Sequence, residues 1–317
     1  MKFPEFYASR RRPVISVEVY PPKPESSQEG FRKVISRLVS LRPDFLTVTY
    51  GAFGSAQVRT VEIAEMIRRE FSIECACHLT CVGSMPADIE RILGGIRTAG
   101  IENIVALRGD PPQGQESFAP PPGGYRHAID LVGHIRRAGG FGVAVAAYTE
   151  KHPEAPDAAA DLQRFREKVD AGADIAITQL FYDNRHYWNF VERARALGIG
   201  IPIVPGILPI LSLRQVKRIT GMCGASVPGR LLEMLDAAGS DEEAALEVGV
   251  RHAVAQAWDL LIHGAPGVHF YVLNKSWHMV RILEGLRPLL AEFDSRGGTA
   301  LPPPPPPPPP PAPAPRR

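Results

Sequence analysis

The chain has 317 residues, a formal net charge of +2, 44% hydrophobic and 22% charged residues. That is ordinary globular composition, long enough for two average domains or for one α/β barrel. The near-neutral balance gives no footprint for nucleic acid, no apolar run approaches the roughly 20 residues of a membrane span, and "RRR" at 10–12 lacks the apolar stretch of an export signal. A cytoplasmic protein is expected.

The first apolar run, "VISVEVY" (14–20), favours extended backbone and ends at Pro21-Pro22, which have no N–H to give to a ladder. Glu18 interrupts it. An unpaired buried charge is costly, so Glu18 needs either a partner or a chemistry. The segment "SSQEGFRKVISRLVSL" then opens with serines and places Phe31, Val34, Ile35, Leu38 and Leu41 on one helical face. Further apolar runs follow: "FLTVTYG" (45–51), "IECACHLT" (73–80), "NIVALRG" (103–109), "GVAVAAY" (142–148), "DIAITQLF" (174–181), "IPIVPGIL" (201–208) and "VHFYVLN" (268–274). Helical stretches separate them. One is "DLQRFREKVDAGA", with Leu162, Phe165 and Val169 on one side and a stop at Gly172. The segment between the seventh and eighth runs is long enough for two or three helices, an insertion on the same domain.

Of the four cysteines, Cys75, Cys77 and Cys81 lie close together around His78 in "ECACHLTC". The C-x-C-x3-C spacing is not that of a zinc knuckle, and the pattern is that of a buried strand. Core thiols are expected, with no metal and no disulfide. Ten prolines fill 302–311. As polyproline II they would span roughly 31 Å at ~3.1 Å per residue and pack no core. The domain reading is a barrel over 1–298 and a disordered Pro-rich tail over 299–317, with docking of a proline-binding partner as the sharper alternative for the tail.

Strands alternating with helices predict a parallel sheet, and eight near-continuous apolar strands predict one closed (β/α)8 barrel with extra helices between strands seven and eight. The alternative, a doubly wound sheet, would carry a G-x-G-x-x-G after its first strand, where this chain has Pro-Pro. Barrel chemistry sits at the C-terminal ends of the strands. Those ends supply Glu18, Thr49, His78, Arg108, Asp110, Tyr148, His152, Gln179 and Asn274, an asymmetry that a purely structural barrel does not require.

At these ends the chain resembles the methylenetetrahydrofolate reductase family. The matching strings are "VEVYPPK", "FLTVTYGAFGS", "HLTC", "IVALRGDPP", "VAAYTEKHPEA", "KVDAGADIAITQLFYD", "PGILPI" and "HFYVLN", in family order from about 14 to 290. The resemblance is to the short, bacterial-type enzymes that consist of the catalytic barrel. It implies non-covalent FAD, NADH or NADPH as electron donor, and ping-pong hydride transfer to 5,10-methylenetetrahydrofolate, giving 5-methyltetrahydrofolate. A homo-oligomer is implied as well.

In that resemblance Glu18 is the general acid that protonates the folate so that its five-membered ring opens, and desolvation on an apolar strand favours a protonated carboxyl. Asp110 is the second catalytic carboxylate, near the flavin's pyrimidine end and the folate. By its residues alone it is equally a turn aspartate before Pro111-Pro112. Substrate contacts fall on Glu18, Thr49, Asp110, Gln179, Gln215, Ile219 and Lys275, and amides suit a pterin edge because they donate and accept at once. FAD contacts fall on Thr49, His78, Leu107, Arg108, Gly109, Asp110, His127, Ala128, Tyr148, His152, Asp161 and Lys168. Arg108 and Lys168 meet phosphate charge, and Gly109 permits close approach. Departures from the family pattern are His127 for tyrosine, Ile219 for an aromatic, and Arg164 and Glu167 on the phosphate-side helix. Other readings of the same residues are a flavin barrel with another iminium substrate or a protein electron donor, and a non-catalytic barrel scaffold.

Overall fold

The computed structural model describes residues 1–8, 12–22, 27–50, 56–109 and 120–296. In chain order the elements are α1 (Phe3–Ala8), β1 (Val14–Val19), α2 (Gln28–Ser40), β2 (Phe45–Val48), α3 (Ala56–Phe71), β3 (Glu74–Thr80), α4 (Pro86–Thr98), β4 (Asn103–Leu107), α5 (Ala128–Ala138) and β5 (Gly142–Ala147). Then come α6 (Ala158–Asp170), β6 (Ile175–Thr178), α7 (Asn184–Ala196), β7 (Ile203–Val204), β8 (Gly206–Ile207), α8 (Leu213–Cys223), α9 (Gly229–Ala238), α10 (Glu242–Ile262), β9 (Gly267–Tyr271) and α11 (Trp277–Arg296). Every expected run forms a strand, and the insertion before the last strand is three helices, α8 to α10.

All the pairings are parallel, in the order β7-β6-β5-β4-β3-β2-β1-β9-β8. The two ends of that order are halves of one run. Pro205 has no N–H and splits the seventh run, so that β7 pairs with β6 while β8 pairs with β9. The carbonyl of Pro205 accepts from His269 N at 2.9 Å, and the ring closes there. The structure therefore has nine ladder segments where the sequence pattern predicts eight strands. The barrel expectation holds, and the difference is one proline. Gly206 belongs to this seam: a Cβ on it would fall 2.2 Å from Thr178 O.

The pleat sorts side chains by a period of two. Ile15, Val17, Val19, Leu46, Val48, Cys75, Cys77, Leu79, Ile104 and Val143 face out, into the layer under the helices. Val14, Phe45, Ala76, Val105, Ala144, Ile175, Ile177 and Val204 form the inner cluster, at the floor of the barrel. That cluster includes Phe3 and Tyr7 of α1, which the sequence pattern did not mark as an element. Asn103 holds this plug: its Oδ1 accepts from Phe3 N at 2.7 Å and its Nδ2 donates to Met1 O at 2.8 Å.

The helices start where short polar side chains can take up free N–H groups. Ser27 caps α2, accepting from Gly30 N at 3.2 Å, and Asp157 caps α6, accepting from Ala159 N and Ala160 N. On α2 the buried face is Phe31, Ile35 and Leu38, as its spacing predicts. Cys75, Cys77 and Cys81 are buried, and burial raises the Cys77 thiol to about 12 and that of Cys81 to about 11. No helix among the described residues is long and apolar enough to cross a membrane.

Candidate active site

Polar side chains occupy the barrel interior above the apolar floor. Alternation along β1 turns Val14, Ser16 and Glu18 inward in successive layers. Glu18 pairs in register with Thr47 of β2 and Tyr271 of β9, and it is only 6% exposed. Its Oε2 lies 3.5 Å from His78 Nε2 on β3 and 3.9 Å from His269 Nε2 on β9. These imidazoles are its nearest basic side chains among the described residues, where no Lys or Arg side chain comes within that range. Burial pulls the His78 pKa down to about 4, against the opposing pull of Glu18, so this ring is neutral at pH 7. One layer lower, Ser16 Oγ meets His269 Nδ1 at 2.8 Å. Beside them Tyr271 donates through its hydroxyl to Thr178 O at 2.6 Å, and burial together with the nearby Glu18 charge pushes the phenol's pKa well up.

The expected substrate residues other than Glu18 and Asp110 lie after β2, β6 and β9 and on α8. Thr49 follows β2 and is buried; its N–H donates to Val19 O at 3.0 Å while its Oγ1 has no partner. Gln179 follows β6, with its N–H on Ala147 O at 2.7 Å and its Oε1 accepting from Leu180 N at 2.9 Å. Gln215 is not a plain surface glutamine. In the first turn of α8 its N–H donates to Ser212 Oγ at 3.1 Å and its Oε1 accepts from Leu211 N at 2.6 Å. Its buried Nε2 is left without a partner. Ile219 is half-buried against the cluster of Leu180, Tyr182, Leu208, Ile210 and Val216. Lys275 is exposed in the turn after β9. Asn274, just before it, takes a left-handed φ of 55° and clasps Tyr20 both ways: its Oδ1 accepts from Tyr20 N at 2.7 Å and its Nδ2 donates to Tyr20 O at 2.8 Å. Asp110 lies outside the described residues.

The expected cofactor residues line the adjoining wall. The backbone of Leu107 and Arg108 prolongs the β3–β4 ladder, accepting from Cys81 N at 3.2 Å and Val82 N at 3.0 Å. Gly109 follows with φ +90°, and a Cβ there would fall 2.6 Å from Val82 Cγ1. His127 caps α5, its N–H donating to Asp130 Oδ2 at 3.0 Å, and Ala128 is the first residue of that helix. Tyr148 meets the His152 ring edge-on at 4.6 Å, and His152 N donates to Asp161 Oδ2 at 2.9 Å. Desolvation first, and neighbouring cations second, lower the pKa values of His127 and His152. Lys168 Nζ donates to Ala146 O, and burial brings its pKa down to about 8.

Sequence reasoning missed Ser16, Thr80, His269 and Tyr271. A signal was available. Counting by twos from Glu18 reaches Ser16, and polar side chains at alternate positions of the eighth run mark His269 and Tyr271 as facing the same interior. A cavity of about 580 Å³ lies away from this mouth, between α7 and α10 at Asp183, Trp188, Asp259 and His263.

Fold and site together define an α/β barrel that, among the described residues, sets a buried acidic group, Glu18, among hydrogen-bond donors and acceptors at the strand ends. The family model for methylenetetrahydrofolate reductase matches residues 5–287, and the chain belongs to that family. It is 39% identical to methylenetetrahydrofolate reductase (NADH) 1 of Arabidopsis thaliana over 282 residues, covering 86% of this chain and 48% of that protein. It is 38% identical to 5,10-methylenetetrahydrofolate reductase of Escherichia coli (strain K12) over 276 residues, covering 86% of this chain and 91% of that one. The chain thus spans about half the length of the plant relatives and nearly all of the bacterial one. Among solved structures, an uncharacterized protein from Clostridium thermocellum that binds 5-methyl-5,6,7,8-tetrahydrofolic acid shares the fold, with a TM-score of 0.64, 16% identity, and coverage of 91% of this chain and 99% of that one.

Proposed function

We propose that the chain reduces 5,10-methylenetetrahydrofolate to 5-methyltetrahydrofolate, with FAD as hydride carrier and NADH or NADPH as donor in a ping-pong sequence. The observation that carries this reading is Glu18. It is buried at the mouth without a fixed cation, beside an imidazole that burial keeps neutral. A buried carboxyl set among hydrogen-bonding groups, with no arginine or lysine locked to it, is placed for the general-acid role this reading requires.

The residues fit FAD. Buried Thr49 Oγ1, His78 Nε2 and Thr80 Oγ1 make no hydrogen bond among the described residues, so the mouth offers polar atoms that the protein leaves unsatisfied. Gly109 leaves backbone open where a side chain would collide. Thr49 and His78 would hold the isoalloxazine, with Asp110 near its pyrimidine end. Leu107, Arg108, Gly109, His127, Ala128, Tyr148, His152, Asp161 and Lys168 would take the remainder, the cations among them meeting the diphosphate. When bound, FAD supplies two-electron hydride chemistry that no side chain possesses.

The chain's own part is binding and proton supply. Gln179 and Gln215 hold the pterin edge, and the free Nε2 of Gln215 is a donor ready for it. Ile219 contributes apolar contact, and Lys275 a charge at the rim. Glu18 protonates the bridging ring so that it opens before reduction. The NADH in the Arabidopsis relative's name supports NADH as donor. A cytoplasmic homo-oligomer, with a barrel over 1–298 and a separate Pro-rich tail over 299–317, belongs to the same reading.

The test is the visible spectrum of the purified protein, followed by anaerobic addition of NADH, NADPH and methyltetrahydrofolate separately. Flavin bands bleached by a nicotinamide and by methyltetrahydrofolate support the relay and identify the donor. Bleaching by methyltetrahydrofolate alone keeps the folate chemistry and points to another electron source. A colourless protein that cannot be reconstituted with FAD overturns the proposal.

A further inference from the structure

The cofactor wall holds one carboxylate that its neighbours do not explain. Glu154 lies in the loop between β5 and α6. It grips Arg108 through two parallel hydrogen bonds, Nη1 to Oε2 at 2.5 Å and Nη2 to Oε1 at 2.7 Å. The other acids nearby are committed to backbone: Asp161 accepts from His152 N and Asp130 from His127 N. The hydrogen bonds of the Glu154 carboxylate among the described residues go to Arg108 alone, and its side chain is 57% exposed. Arg108 is the opposite case. Its side chain is only 21% exposed, and its backbone is fixed by the β3–β4 ladder, so it stays while Glu154 can swing away.

The surroundings mix both charges. Arg108 and the ring of His127 act on Glu154; Arg164 and Arg126, against Asp130, act on His127; Arg108 and Lys168, against Glu154 and Asp161, act on His152. Three guanidinium groups, Arg108, Arg126 and Arg164, and the amine of Lys168, from three different segments, therefore act on one wall. A guanidinium fork accepts a carboxylate and a phosphate with the same geometry. A carboxylate seated on that fork occupies the place of an anionic ligand.

We propose that Glu154 is an internal counter-ion for the diphosphate subsite: it holds Arg108 in the protein without cofactor, and the diphosphate of FAD displaces it. This rests on the FAD reading above. Arg108 is then kept in a binding-ready orientation, at the cost of a competing anion that must leave. The strap between the end of β4 and the loop after β5 opens on binding, and His152, whose Nδ1 accepts from Glu154 N at 3.1 Å, shifts with it.

The experiment is a titration of the apoprotein with FAD, followed by flavin fluorescence, for wild type, Glu154→Gln, Arg108→Gln and the double variant. Removing the competitor should tighten FAD binding about two- to fivefold, the worth of one exposed ion pair. Arg108→Gln should weaken binding, and in that background Glu154→Gln should gain less. Inorganic pyrophosphate, which carries the two phosphates without the flavin, should follow the same order in competition. Unchanged or weaker FAD binding in Glu154→Gln overturns the proposal and makes Glu154 a holder of Arg108 in the loaded protein. Wild type that binds no FAD under any condition overturns the cofactor reading instead. Unchanged thermal unfolding of Glu154→Gln, expected at an exposed site, shows that its change in affinity reports on binding.

Discussion

His78 Nε2 stands 3.5 Å from Glu18 Oε2, and the imidazole there is neutral at pH 7 because burial lowers its pKa to about 4. The carboxyl thus faces a hydrogen-bonding group, not a fixed charge. That answers why a glutamate can sit in an apolar strand: the barrel interior at its height is polar, with Thr47, Thr49, Thr80 and His269 buried around the same mouth.

Glu18→Gln should keep the shape of the site and remove its proton. The folate half-reaction is expected to slow by about 10²–10⁴-fold, the usual worth of general acid catalysis, while reduction by the nicotinamide changes by only a few-fold. Rapid-mixing measurement of each half-reaction separates the two. Equal losses in both would remove Glu18 from the proton role and make it a flavin-site residue.

Acid should destabilise the protein well before its carboxylates are exhausted. Burial holds His78 and His278 near 4, below the ordinary 6.5 of an unfolded histidine. The unfolded chain then binds more protons between those values, so this stability is complete above about 6.5 and is lost as pH falls toward 4. Each ring contributes up to a few kcal/mol to the loss. Melting temperature followed from pH 7 to 4 should drop, and His278→Gln, away from the mouth, should flatten the drop. A variant curve parallel to that of wild type would remove His278 from the account.

FAD affinity should weaken as pH rises through about 8. The Lys168 amine, lowered to that value by burial, meets a diphosphate only as an ammonium. Binding is then strongest below 8 and falls above it with the loss of one proton. Lys168→Arg, which stays charged, should abolish that step. A wild-type affinity flat between pH 7 and 9 would place Lys168 outside the diphosphate contact.

Phe3→Ala should test the plug at the barrel floor. Phe3 is fully buried and packs edge-on against Phe45 at 5.4 Å. Truncation is expected to cost about 3–5 kcal/mol, with a matching fall in denaturation midpoint and the same flavin spectrum. Loss of less than about 1 kcal/mol would show that the floor refills around the gap.

The sequence by itself determined the strands, their parallel order and the side of the barrel that carries chemistry. Local β-propensity, helical spacing and polar strand ends are properties of neighbouring residues, so Glu18, Thr49, Arg108 and Gln179 could be marked from the chain alone. Tertiary structure decided what depends on distant partners. Ser16 and His269 are 253 positions apart, and Arg108 and Glu154 are 46 apart. No local pattern encodes either meeting. The plug formed by α1 was illegible because a six-residue helix gains little from its own hydrogen bonds and is stabilised by burying Phe3 and Tyr7. The split at Pro205 could be read as a missing donor, but only ring closure gives β7 and β8 different neighbours. The setting of Glu18 likewise becomes visible only in three dimensions, because its burial and the neutrality of His78 are properties of the packed interior, not of the strand that carries the carboxylate.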